Sequence, residues 1–71
     1  MKVRQSTKLV RAGDYLAEVE VALILTEDDW SPYLSVEDAY KLDDVREALE
    51  RGDVEAAARL ARVFALVPVA V

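Results

Sequence analysis

The chain has no cysteine and no histidine. The first absence excludes disulfides, and the two together remove the usual zinc ligand sets. Without histidine the commonest general acid–base group at neutral pH is missing, and neither a Ser–His nor a Cys–His nucleophile can be built. Glycine is nearly as scarce. Gly13 and Gly52 are the only two, too few for the glycine-rich loops that cradle phosphates. Paired carboxylates could serve a glycosidase, but 71 residues leave no room for a deep cleft around a sugar. Lys41 beside Tyr40, Asp43 and Asp44 reads as a surface cluster on a helix. The inventory points away from enzymatic chemistry and implies no cofactor and no metal.

Long apolar runs are missing with one exception. Val63-Phe64-Ala65-Leu66-Val67-Pro68-Val69-Ala70-Val71 carries no polar side chain, in a chain that is 32% charged. The run is too short to cross a bilayer as a helix. Water is a poor environment for it, so it must be buried by this domain's own sheet or by another chain. Residues 1–71 make one small domain, and domains of this size often need disulfides, metals or oligomerisation to supplement their core. Oligomerisation or partner binding is the support that remains here; the alternative is a marginal monomer, since many domains near this length fold alone. The polar start, Met1 to Thr7, lacks the apolar centre of a signal peptide, which together with the short tail predicts a cytoplasmic protein with no membrane association.

The net charge of −5 is unevenly spread. Lys2, Arg4, Lys8 and Arg11 give +4 with no acid among the first eleven residues, while the remaining sixty hold five basic and fourteen acidic side chains. An acidic body disfavours broad contact with nucleic acid and suits a basic protein partner; it also serves solubility.

Periodicity divides the chain. Residues 2–11 alternate weakly and lead into the turn signal Ala12-Gly13-Asp14. Residues 15–26 alternate strictly: Tyr15, Ala17, Val19, Val21, Leu23 and Leu25 share one face, and Leu16, Glu18, Glu20, Ala22, Ile24 and Thr26 the other. That period of two defines a half-buried strand. A three-residue loop at 12–14 would set Lys8 opposite Glu18 and Leu9 opposite Ala17, so that the basic strand neutralises the acidic face of its neighbour. Glu27-Asp28-Asp29 reads as a solvated loop, because a calcium loop needs oxygens at alternate positions and a central glycine. Trp30, Ser31, Pro32, Tyr33 and Leu34 suggest a short third strand at an edge, since proline cannot donate to a ladder.

Ser35 is a good N-cap, with Glu37 and Asp38 in the first turn where the helix dipole favours acids. Ala39, Leu42, Val45 and Leu49 then recur near helical spacing, giving one helix over 36–51 or two short ones with a restart at Asp43. Gly52 suits a helix C-terminus and Asp53 caps a final helix of about 54–62. Val63 to Val71 returns to strand formers, apolar on both faces as in a strand covered on both sides, with Pro68 limiting its pairing. The expected fold is α+β: a small antiparallel sheet, built from an N-terminal hairpin and a C-terminal strand, packed with two or three short helices in the order ββ(β)ααβ.

The segments Ser6 to Tyr15, Trp30 to Ser35 and Glu37 to Tyr40 resemble a family of short bacterial proteins. More loosely, a sheet followed by the acidic Glu37-Asp38-Ala39 helix is similar to the partial RNase H-like domain of HicB-type antitoxins. That resemblance implies a small cytoplasmic protein that neutralises a basic toxin ribonuclease by covering it. This chain departs from the pattern before the helix, where Leu34-Ser35-Val36-Glu37 replaces a glycine-rich turn.

The expected function is a non-catalytic protein-interaction module, antitoxin-like in the resemblance's terms. Its partner-binding candidates are Trp30, Tyr33, Asp43, Asp44, Glu47 and Phe64, combining residue types favoured at interfaces with the acidic helix. Trp30 and Tyr33 read equally as lids on the core. Two alternatives stand beside it. One is a self-associating homodimer whose tail packs across a two-fold axis. The other is a DNA-binding autoregulator using Lys2, Arg4, Lys8 and Arg11.

Overall fold

The computed structural model describes residues 2–25 and 32–70. Six elements follow one another: β1 (Lys2–Ala12), β2 (Tyr15–Leu25), β3 (Tyr33–Leu34), α1 (Val36–Glu50), α2 (Val54–Ala58) and β4 (Arg62–Ala65). The fold is α+β, with a four-stranded antiparallel sheet and two helices, as the sequence predicts. Trp30 and the acidic loop 27–29 lie outside the described residues.

β2 is the centre of the sheet. β1 pairs with it along its whole length. On its other side β4 takes the hairpin end, opposite Tyr15 to Glu18, and β3 takes the far end, opposite Leu23 and Ile24. Among the described residues no strand lies beside the stretch of β2 between them, and α1 reaches it with side chains. The Asp38 carboxylate accepts from the Ala22 backbone N–H at 2.8 Å, and the Lys41 ammonium donates to the Glu20 carbonyl at 2.8 Å. Two polar backbone groups that would otherwise compete for water are thereby paired.

The hairpin turn corrects the expected register. Of the loop residues only Gly13 has positive φ (+58°), and Ala12 pairs directly with Tyr15. The loop is therefore two residues, Gly13-Asp14, with the glycine where a II′ turn demands it. Lys8 stands opposite Val19 and Leu9 opposite Glu18, not opposite Glu18 and Ala17. A one-residue slip exchanges the faces of a strand: Val10 now lies over the core beside Ala17, and Leu9 points to the other side. The expected Lys8–Glu18 pair is not formed.

The odd-numbered face of β2 carries the core, as its alternation predicts. Val10, Ala17, Val19 and Val21 pack against Val45, Ala48 and Leu49 of α1 and Ala57 of α2. Among the described residues the largest side chains buried completely are two valines, Val19 and Val45. Small residues let the helix layer approach the sheet closely, but each fully buried valine contributes only about 1.5–3 kcal/mol. Such a core is modest.

α1 is one helix, without the break considered at Asp43. Ser35 caps it, its hydroxyl accepting from the Asp38 N–H at 3.2 Å. At the other end Gly52 (φ +75°) donates to the Leu49 carbonyl and Asp53 N–H donates to the Ala48 carbonyl at 2.8 Å, a Schellman closure. The Asp53 carboxylate then accepts from Ala56 N–H and starts α2. That helix is shorter than the expected 54–62. It closes where Leu60 and Ala61 N–H both donate to the Ala57 carbonyl, and Arg62 already belongs to β4.

The apolar tail also departs from expectation. Only Arg62–Ala65 is strand, and Leu66 to Ala70 is exposed rather than covered on both faces. The reason lies in register. Ala65 pairs with Tyr15, the first residue of β2, so anything beyond Ala65 has run off the end of its partner strand. One further bond, Leu66 N–H to the Asp14 carbonyl at 2.7 Å, ties the tail to the turn. Pro68 then offers no donor.

Two stability predictions follow from this geometry. Asp38→Ala strips the acceptor from Ala22 N–H and should cost about 1–2 kcal/mol, the lower part of the range for an unpaired amide because the site is part-buried. Asp38→Asn keeps an acceptor and should lose less. Urea titrations in which both variants match the parent would show that the bridged gap contributes nothing. Gly13→Val forces a β-branched residue into positive φ and should cost about 1–2 kcal/mol in the same assay; an unchanged midpoint would contradict the turn assignment.

Candidate interaction surfaces

The architecture leaves the sheet with one covered and one open face. Both helices lie on the odd-numbered side of β2. On the open side stand Val3, Gln5, Thr7, Leu9 and Arg11 of β1 and Leu16, Glu18, Glu20, Ala22 and Ile24 of β2, by strand alternation. Register adds Tyr33 of β3, opposite Ile24, and Arg62 and Phe64 of β4, opposite Glu18 and Leu16. Leu9, Tyr33 and Phe64 are 64, 48 and 39% exposed.

Charge on this face is balanced and locally paired. The Arg62 guanidinium lies 3.8 Å from the Glu18 carboxylate and 5.3 Å above the Phe64 ring centroid. The Thr7 hydroxyl donates to the Glu20 carboxylate at 3.0 Å. Exposed pairs of this kind contribute little stability. Their effect is on what the surface can meet.

The outer side of α1 is a second surface with a different character. Val36, Tyr40, Asp43, Glu47 and Glu50 recur at helical spacing and are all exposed. Val36 and Tyr40 form an apolar start to the stripe, and acids continue it. Asp43 is paired with Arg46 at 3.6 Å across one turn. Asp44 and Glu47 make no ion pair among the described residues.

The expected site residues do not gather into one patch. Tyr33 and Phe64 are on the open sheet face at opposite ends of β2. Asp43, Asp44 and Glu47 are exposed on α1, in the layer packed on the other side of the sheet. Trp30 falls outside the described residues. The basic N-terminal set divides as well: Lys2, Arg4 and Lys8 share the helix side of β1, and Arg11 takes the open side. β1 is the free edge of the sheet, so its three-cation side borders the acidic helix layer.

Sequence reasoning missed Leu9, Arg62 and the Val36–Tyr40 pair. A three-residue loop would set Leu9 opposite Ala17, on the side of the sheet that carries the core, and the Gly13-Asp14 dipeptide is the signal that corrects it. Arg62 was absorbed into an overlong helix. Val36 and Tyr40 are four apart on a helix, a spacing that puts them side by side.

A cleft of about 330 Å³ lies between the hairpin turn and the tail, lined by Arg11, Gly13, Asp14, Leu66, Val67 and Pro68. Among the described residues no three His, Cys, Asp or Glu side chains are grouped to hold a metal ion, and no helix is long and apolar enough to cross a membrane.

No protein-family model, no curated protein and no solved structure matches this chain, so its function has to be argued from its own residues.

Proposed function

We propose that this chain is a non-catalytic protein-interaction module whose exposed surfaces are completed by a protein partner. One observation carries the reading. Ten large apolar side chains are exposed among the described residues, against nine buried hydrophobic residues of which three are alanine. A self-sufficient domain keeps its large apolar groups inside and exposes them singly. Here they are concentrated on the open sheet face, at the start of α1 and along the tail.

The acidic stripe of α1 favours a small basic protein as partner. Val36 and Tyr40 supply contact area, while Asp43, Asp44 and Glu47 supply the complementary field. Complementary charge steers association and selects the partner more than it adds raw affinity. The resemblance to HicB-type antitoxins supports the finer reading, in which that partner is a small basic toxin and binding neutralises it. A cytoplasmic location accords with such a role.

The test is co-expression with the protein encoded beside this chain's gene, followed by co-purification. A stoichiometric complex is expected, weakened at least about tenfold by the double variant Asp43→Lys/Asp44→Lys and weakened further as salt rises. Affinity unchanged by the reversal would remove α1 from the interface.

A further inference from the structure

The open sheet face differs from the α1 stripe and the β1 edge in carrying balanced charge, which lets it meet its own copy. We propose that a second copy of this chain covers it, the two sheets packing face to face about a two-fold axis. This inference concerns the side of the sheet away from α1 and does not rest on the basic-partner reading.

The first support is area. The accessible surface is 5488 Å², whereas a compact monomer of this length exposes roughly 4,400 Å². The excess, about 1,100 Å² with the exposed tail included, is of the order of what one partner buries in a standard interface, about 800 Å². The radius of gyration agrees. It is 14.3 Å, against about 11 Å for a compact chain of this length. The smallest extent of the molecule is only 14 Å, the thickness of one sheet with one helix layer and nothing beyond. A second sheet packed about 10 Å away supplies the missing layer.

The second support is charge. A two-fold interface sets a patch against the same patch, so the patch must complement itself. Arg11 and Arg62 balance Glu18 and Glu20 on the open face, leaving no net charge there. The outer stripe of α1 is acidic and repels its own copy. The β1 edge carries Lys2, Arg4, Lys8 and Arg11 with no acid, and cations on an edge strand oppose edge-to-edge pairing. Of these three surfaces, the open face alone passes this requirement.

The third support is the tail. Arg11, an open-face residue, lines the same cleft as Leu66, Val67 and Pro68, so the tail adjoins the open face at its hairpin end. Val67 and Val69 are 79 and 83% exposed. A second copy seated on the face brings apolar surface to them.

Light scattering after size exclusion, over a concentration series of the full chain, should give the mass of two chains. Phe64→Glu and Leu9→Glu, both at positions already exposed, should each reduce it to one chain while circular dichroism stays unchanged. Asp43→Lys/Asp44→Lys should leave the dimer intact, which separates failure of this proposal from failure of the basic-partner reading. In the unmodified protein a soluble paramagnetic agent should broaden the Val36 methyl signals on α1 and spare those of Leu9, Leu16 and Ile24. A monomer at all concentrations overturns the proposal. So does a dimer that survives both glutamate substitutions, or a dimer whose Leu9 and Ile24 methyls stay open to the agent. Open-ended oligomers that the α1 reversal abolishes would instead mean that the basic β1 edge of one copy meets the acidic helix of the next.

Discussion

Everything in this fold depends on β2 being paired on both sides. Its inner edge is satisfied by one continuous strand, but its outer edge is shared by β4, a pair of α1 side chains and β3 in succession. The division has a topological cause. Two short strands arriving from different parts of the chain cannot cover eleven residues of β2, and an unpaired amide next to a helix layer is costly. Asp38 and Lys41 solve this from the first turns of α1, which also fixes where the helix lies over the sheet. The helix position in turn decides which face of the sheet is covered and which is left open.

The core that results is built from small residues. Ala17 faces the helix layer from β2, Ala48 and Ala57 face the sheet from the helices, and among the described residues the largest fully buried side chains are valines. Close approach of layers is gained at the expense of buried area, and it is area that supplies most of the driving force. Large apolar groups are not scarce in this chain. They are distributed to the open face, the start of α1 and the tail. The same composition could have filled a thicker interior; instead it makes a thin plate with sticky surfaces.

Much of this was legible in the sequence, for reasons that differ by element. The strict alternation of Leu16 to Val21 marks a half-buried strand, and the structure puts its apolar face on the core. Ser35, Gly52 and Asp53 mark helix ends because each supplies a bond or a backbone conformation that a helix terminus requires. Register was harder. Whether Ala12-Gly13-Asp14 is a loop of two or three residues changes no composition and no periodicity, yet it decides whether Leu9 or Val10 is inside. The tail was harder still. Its residues favour strand, but a strand needs a neighbour, and β2 begins at Tyr15, so that beyond the single Leu66–Asp14 bond no strand residue is there to pair with Val67 onward. The candidate site residues were chosen by type, and type does not reveal that the aromatics and the acids lie in different layers.

That separation gives the two proposed interfaces a definite relation. If two copies pack through their open faces, their helix layers lie outermost, in the order helix, sheet, sheet, helix. The acidic stripe of α1 then remains exposed on both outer sides. Self-association and capture of a basic partner are therefore compatible: one uses the charge-balanced face, the other the charged one. Two identical stripes on one particle would also let the assembly hold two partner molecules. A partner with two basic patches would gain from avidity without any new contact, provided that it can span the particle. The charge imbalance between β1 and the rest of the chain has a place in this arrangement. Cations along the exposed sheet edge discourage the dimers from pairing edge to edge into longer sheets, which is the failure expected of a thin plate with an uncovered eleven-residue strand.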